Sequence, residues 1–149
     1  GVDITEEKLE LMKKYGADEV IDASKDNWGE RIVEISGGRG ADKILEFVSR
    51  KETVEKDIKV LRKGGKLVLV AYSNLVPLQI NSLKVVLNEL EILGTRAGTK
   101  EEIEKCVELI VEGKLKPVIS KTYPIEEINQ AMSVLKEGKL SGRITLKVS

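Results

Sequence analysis

Gly64-Gly65-Lys66-Leu67-Val68-Leu69-Val70-Ala71-Tyr72 holds five apolar residues in a row, Leu67 to Ala71, between a glycine pair and the polar Ser73-Asn74. A short unbroken apolar run between turn signals reads as a strand covered on both faces, the mark of a parallel sheet with helices on each side. Other strands then line up beside it. A ligand of such a sheet binds where the strands end, here near Val70, Ala71 and Tyr72, because open α/β sheets bind at the carboxyl ends of their strands.

The flanking sequence repeats the pattern. Gly1 to Ile4 reads as the tail of a strand. Asp3 or Thr5 then caps a helix with acids in its first turn, an apolar face of Leu9, Met12 and Tyr15, and a stop at Gly16. Glu19 to Asp22 is a short strand. Ser24 or Asp26 caps a helix through Trp28, Ile32 and Ile35. Lys43 to Val48 is a strand, Thr53 to Arg62 a helix, and Lys66 to Tyr72 the next strand. Alternating strands and helices predict right-handed βαβ units. Beyond Tyr72 come a loop around Pro77, a short helix over Asn81 to Asn88, and a strand at Leu90 to Leu93. A capping box, Thr99 with Glu102, then opens a long helix to Gly113. An extended segment from Lys116 to Tyr123, a helix from Ile125 to Lys136 and an alternating strand from Gly142 to Val148 complete the chain, with a soft boundary between Gly94 and Thr99.

Composition bounds function more tightly than fold. In 149 residues, 25 Lys and Arg balance 25 Asp and Glu, so no net field attracts nucleic acid or an anionic membrane. The single cysteine, Cys106, forms no intramolecular disulfide and suits a reducing, cytoplasmic setting. It lies among Ile103, Val107 and Ile110, which reads as a buried structural thiol. There is no histidine, hence neither the commonest general base nor the commonest metal ligand. No catalytic residue and no metal ligand is assigned. Glu46, inside a strand, is unusual: it reads as lying at the strand's carboxyl end, where a ligand of such a sheet binds, or as exposed at an edge.

Six phrases in order carry a resemblance: Gly1-Val2-Asp3-Ile4, Lys14-Tyr15-Gly16-Ala17-Asp18, Gly38-Arg39-Gly40-Ala41-Asp42, Leu61-Arg62-Lys63-Gly64-Gly65, Glu112-Gly113-Lys114-Leu115-Lys116-Pro117 and Gly142-Arg143-Ile144. Together they resemble the C-terminal part of the medium-chain, zinc-type alcohol dehydrogenase family. The resemblance implies an α/β, Rossmann-like doubly wound parallel sheet that is truncated, without the first strand and glycine-rich turn. Residues 1–94 are then a partial dinucleotide-binding domain, and residues 95–149 are C-terminal helices and a strand that pack on a catalytic domain. It further implies NAD as cofactor, with zinc held only in an upstream domain, and no turnover by this chain alone.

Residue by residue, the resemblance places Asp3 on the adenosine ribose, where a carboxylate accepts both hydroxyls and repels a 2′-phosphate; the plain reading is a helix N-cap. Lys8 reaches the same ribose or is a solvated helix lysine. Ile4 and Val48 sandwich the adenine or belong to the core, and Arg50 sits at the adenine rim. Val70, Ala71 and Tyr72 line the nicotinamide, with Leu93 as a second main-chain partner. Arg143 closes on the pyrophosphate. Ala71 and Ser49 stand where the family usually has glycine. A zinc-free enoyl or quinone reductase of the same superfamily, or a non-catalytic α/β self-association domain, are the alternative readings.

The family's strand order, 3-2-1-4-5-6, makes Lys43–Val48, Lys66–Tyr72 and Leu90–Leu93 contiguous, with Asp18–Ile21 set apart from them. It leaves Leu90 to Leu93 as an open edge, and family practice implies a homodimer through that edge, assisted by the apolar loop residues Leu75, Val76, Leu78 and Ile80.

Overall fold

The computed structural model describes residues 1–72, 77–138 and 140–148. It divides into two compact units, Gly1–Ala97 and Gly98–Ser149.

The first unit runs β1 (Val2–Asp3), α1 (Glu6–Lys14), β2 (Ile21–Asp22), α2 (Trp28–Ile35), β3 (Ala41–Glu46), α3 (Lys51–Val60), β4 (Leu61–Leu69), α4 (Ser82–Leu87) and β5 (Glu91–Gly94). All of its strand pairs are parallel, as the alternation of strands with helices requires. β3, β4 and β5 form one sheet in that order, with Leu67 opposite both Ile44 and Ile92. β1 and β2 form a separate pair. The expected contiguity of the three later strands, and the separation of the strand at Ile21, are both observed.

Helix ends follow local chemistry. α1 stops in a Schellman arrangement: Gly16 N–H donates to Lys13 O and Ala17 N–H to Met12 O, with Gly16 at φ +100°. Thr5 occupies the cap position of α1 without a side-chain bond. Asn27, not Ser24 or Asp26, occupies the cap position of α2, without a side-chain cap bond; Ser24 is bound in the turn of Asp22. α3 begins two residues earlier than expected, and β4 begins directly after it at Leu61. β4 therefore includes the glycine pair: its register on β3 moves from Ala41–Leu61 to Lys43–Lys66 across Arg62 to Gly65.

The core lies on one face of the three-stranded sheet. Val54 and Ile58 of α3 pack with Leu61, Leu67 and Leu90, flanked by Ile44, Leu69, Leu78, Val85 and Ile92. Leu67 and Val54 are fully enclosed, and burial of side chains of this size stabilises by about 1.5–3 kcal/mol each. The opposite face corrects the reading of a strand covered on both sides: Leu45 is 60% and Leu93 46% exposed. The helices following β3 and β4 supply only one covering layer. For the same reason Leu78 is committed to its own core and is not free for a partner, while Leu75 and Val76 lie outside the described residues. Tyr15 is also more exposed than its place on the apolar face of α1 implied; Leu9 alone is buried there.

The second unit runs α5 (Lys100–Val111), β6 (Ile119–Pro124), a 3-10 turn (Ile125–Glu127), α6 (Ile128–Lys136) and β7 (Arg143–Lys147). The capping box forms: Thr99 Oγ1 accepts from Glu102 N–H at 3.2 Å, and Glu102 Oε2 accepts from Thr99 N–H at 2.7 Å. β6 and β7 pair in parallel across α6, with Tyr123 and Ala131 buried and Thr122 bonded to Thr145 at 2.8 Å. The burial of β7 does not alternate as expected; its three central residues are all half-buried. Cys106 is exposed, not buried, because the stripe formed by Ile103, Val107 and Ile110 is itself uncovered.

Among the described residues no helix is long and apolar enough to cross a membrane.

Candidate functional site at the strand ends

The carboxyl ends of the first unit's strands carry most of the singled-out residues. Asp3 ends β1, and its Oδ1 accepts from the N–H groups of Ile4 (2.8 Å) and Thr5 (3.0 Å). It thus shapes the turn into α1 from outside the helix, a role between the cap and the ligand readings. Among the described residues nothing donates to its Oδ2. Ile4 is 70% and Val48 51% exposed, which removes the core reading for both. Lys8 is half-buried on α1, and Arg50 is exposed at the N-cap of α3.

Asp22 ends β2 directly opposite Asp3 and escaped the sequence reading. Lys25 at 2.8 Å, together with the Ser24 hydroxyl and amide, holds its carboxyl down at about 2. The signal was available in Asp22-Ala23-Ser24-Lys25, an acid followed by turn and cationic partners.

β3 ends in Glu46, which is buried at the carboxyl end of its strand and not exposed at an edge. Its Oε1 accepts from the amides of Val48 (2.5 Å) and Ser49 (2.9 Å). Ser49 is buried with φ +51°, and its hydroxyl donates to Ala71 O at 2.6 Å. The residue takes a left-handed conformation that glycine adopts without penalty, and its hydrogen bonds offset the cost of a side chain there.

Beyond β4, the N–H groups of Val70 and Ala71 both donate to Glu46 O, at 2.9 and 3.3 Å. The main chain of Ala71 is therefore already partnered on both its N–H and its C=O. Its carbonyl keeps one lone pair for a further donor. Tyr72 is almost fully exposed. Leu93 lies in β5 opposite Val68. Arg143 begins β7 in the second unit and so is not among the residues gathered here; its own amide donates to Val118 O at 2.8 Å. A cleft beside α3 and α4, lined by Glu55, Ile58, Lys59 and Lys84, contains none of the expected cofactor residues.

The family pattern described as zinc-binding dehydrogenase matches residues 1–112. The chain belongs to the zinc-binding dehydrogenase family. An NAD-dependent alcohol dehydrogenase of Sulfurisphaera tokodaii is 35% identical over 146 residues, covering 98% of this chain and 42% of that protein. An acryloyl-coenzyme A reductase of the same organism is 31% identical over 150 residues, with 99% and 42% covered. The crystal structure of the alcohol dehydrogenase of Aeropyrum pernix superposes with a TM-score of 0.87 at 29% identity, over 99% of this chain and 42% of that one. The chain thus spans less than half the length of the relatives it matches.

Two groups go with such dehydrogenases, and the residues present treat them differently. A dinucleotide fits: an acid with an uncommitted oxygen, exposed apolar side chains at Ile4 and Val48, and a partnered main chain at Ala71 stand on strand ends of one unit. Zinc does not fit. The chain has no histidine and one cysteine, and among the described residues no three His, Cys, Asp or Glu side chains cluster.

Proposed function

We propose that this chain is the NAD-binding portion of a zinc-binding dehydrogenase, serving an enzyme that passes hydride between the nicotinamide and an alcohol or carbonyl carbon. NAD supplies the hydride chemistry when bound; the chain supplies binding and orientation. The observation that carries the reading is Asp3. Two amides fix its Oδ1 at the end of β1 and leave Oδ2 uncommitted, the arrangement a carboxylate needs to accept ribose hydroxyls. Ile4 and Val48 offer apolar cover for the adenine, Lys8 and Arg50 border it, and Val70, Ala71, Tyr72 and Leu93 line the nicotinamide end. Arg143 is the proposed pyrophosphate ligand in the complete enzyme. Residues 1–94 carry the dinucleotide function, and residues 95–149 pack on a catalytic domain. Turnover and zinc belong to that domain, so the chain alone converts no alcohol.

Calorimetric titration with NAD tests this reading. Asp3→Ala should weaken binding by about 1–3 kcal/mol, the cost of hydrogen bonds lost from a charged acceptor. Equal affinity of the two proteins would remove Asp3 from the site, and no heat up to millimolar NAD would refute the reading.

Similarity to the acryloyl-coenzyme A reductase supports a second reading, a zinc-free reductase of enoyl or quinone substrates. Assaying the complete enzyme with alcohols and with enoyl thioesters, before and after chelation, separates the two. The parent enzyme is read as cytoplasmic and homodimeric through β5.

A further inference from the structure

Glu46 and Asp57 are two buried carboxyl groups in one place, and the cofactor reading uses neither. Glu46 comes from the end of β3 and Asp57 from α3; they are 6% and 4% exposed. Asp57 Oδ2 is buried, and among the described residues no donor reaches it. An ionised carboxylate only accepts hydrogen bonds, so two of them side by side leave an orphaned oxygen and a repulsion. One proton removes both defects. Carried by Asp57, it is donated to Glu46 and leaves the Glu46 charge to be held by the Val48 and Ser49 amides.

We propose that Glu46 and Asp57 share one proton, and that this pair is a positioning device setting the Val48–Ser49 turn and, through the Ser49 hydroxyl on Ala71 O, the end of β4 that faces the cofactor. The inference rests on the dinucleotide reading for its consequence and on the geometry of the turn for its existence.

The electrostatics agree. Burial, and then the adjacent Glu46, push the Asp57 carboxyl up to about 8. Glu46 is held below its ordinary value despite burial, by Asp57 and by the Ser49 and Val48 amides. α3 packs against α2, β3 and β4. From β3 the charged group facing Asp57 is Glu46. Arg62 and Lys66 of β4 are committed to Asp42 and Glu91, and Arg31 of α2 to Glu34. Lys56, on α3 itself, lies over the Trp28 ring. Among the described residues no cation compensates the pair.

With the proton present, the turn is fixed. With it lost, two carboxylates share the site, and Glu46 turns from its amides or Asp57 seeks water. The Ala71 carbonyl then loses its fixed position.

The test uses the wild-type chain, Asp57→Asn, which keeps a donor to Glu46 while removing the shared proton, and Glu46→Gln, which removes the neighbouring charge but leaves Asp57 titratable. In the first arm, NMR follows the Val48 and Ser49 amides between pH 6 and 9.5. Both shifts should move with a midpoint near 8 in the wild type, stay flat in Asp57→Asn, and move with a different midpoint in Glu46→Gln, where burial still raises the Asp57 carboxyl but Glu46 no longer does. Amides that do not move in the wild type, or that move as in the wild type in either variant, overturn the proposal.

In the second arm, NAD affinity is measured over the same range. It should fall about fivefold to tenfold from pH 7 to pH 9 in the wild type and stay flat in Asp57→Asn. Moving amides with flat NAD affinity overturn the link to the cofactor. Absence of NAD binding at every pH refutes the dinucleotide reading and with it that link, while the first arm still decides the pair.

Discussion

The Ser49 hydroxyl donates to the carbonyl oxygen of Ala71 at 2.6 Å, tying the turn after β3 to the segment after β4. Ser49 achieves this at φ +51°, a conformation that costs an L-residue roughly 1–2 kcal/mol. Two substitutions separate strain from bond. Ser49→Ala keeps the strain and loses the hydrogen bond, so it should destabilise by about 1–2 kcal/mol. Ser49→Gly loses the bond and also the strain, so it should lie within about 1 kcal/mol of wild type. Urea unfolding that ranks the glycine variant below the alanine variant would show that the left-handed turn carries no strain.

Gly40 is a harsher case. Its φ is +89°, and a Cβ there would stand 2.5 Å from Val60 O, a backbone atom at the end of α3. Neither helix nor strand moves cheaply, because Ala41 and Leu61 are paired beside the contact. Gly40→Ala should destabilise by at least about 2–3 kcal/mol, seen as a lower urea midpoint with unchanged slope. Wild-type stability in this variant would mean that the β3–β4 junction is looser than the packing of Leu61 implies.

The buried carboxyl pair makes stability depend on pH with a definite sign. The folded Asp57 titrates at about 8, above its ordinary value of 3.8, so between those limits the folded chain binds more protons than the unfolded one. Stability must then fall as pH rises from about 4 to about 8, and this contribution levels off above that. Glu46 works the other way: its lowered value gives stability above its ordinary range that is lost as pH falls through it. The two together place the optimum of this contribution at about pH 4–5, with a decline from there towards pH 8. Thermal melts from pH 4 to pH 9 should show that optimum, and Asp57→Asn should remove the decline towards pH 8. A wild-type melting temperature that rises steadily to pH 8 would contradict the assignment of the proton.

The alternation of strands and helices was legible from local signals: the apolar run at Leu67, the glycine stop at Gly16, the box at Thr99 and Glu102. The order of strand neighbours came from the family resemblance. What sequence missed depends on contacts between distant segments. Nothing near Asp57 marks it as the partner of Glu46, eleven positions away on another element. The periodicity of α5 announced an apolar face at Ile103 and Val107 but not whether anything covers it, which is why Cys106 proved exposed. Periodicity reports which residues share a face; burial depends on what packs there. At the candidate site, the resemblance singled out Asp3, which local pattern alone read as a helix cap and which ends β1. Asp22 and Ser49 acquire meaning only once the strand ends are side by side.

β5 supplies the last prediction. It is the edge of its sheet among the described residues, with Glu91 to Gly94 paired to β4 on one side. Thr95 N–H donates to Leu69 O on that side. Alternation along a strand then turns the N–H groups of Ile92 and Gly94 to the open edge. An open edge of this kind pairs with another strand unless blocked, and a second copy of the chain offers the same edge. Light scattering should give twice the 16.5 kDa of one chain. Ile92→Pro removes one outward donor but also strips a side chain from the core, so its effect on assembly is mixed with its effect on folding. Gly94→Pro is the cleaner change, because a side chain at Gly94 meets open space and the donor it removes faces outward. Folded Gly94→Pro should be a monomer. A monomeric wild type, or a folded Gly94→Pro that remains dimeric, would place the contact away from β5.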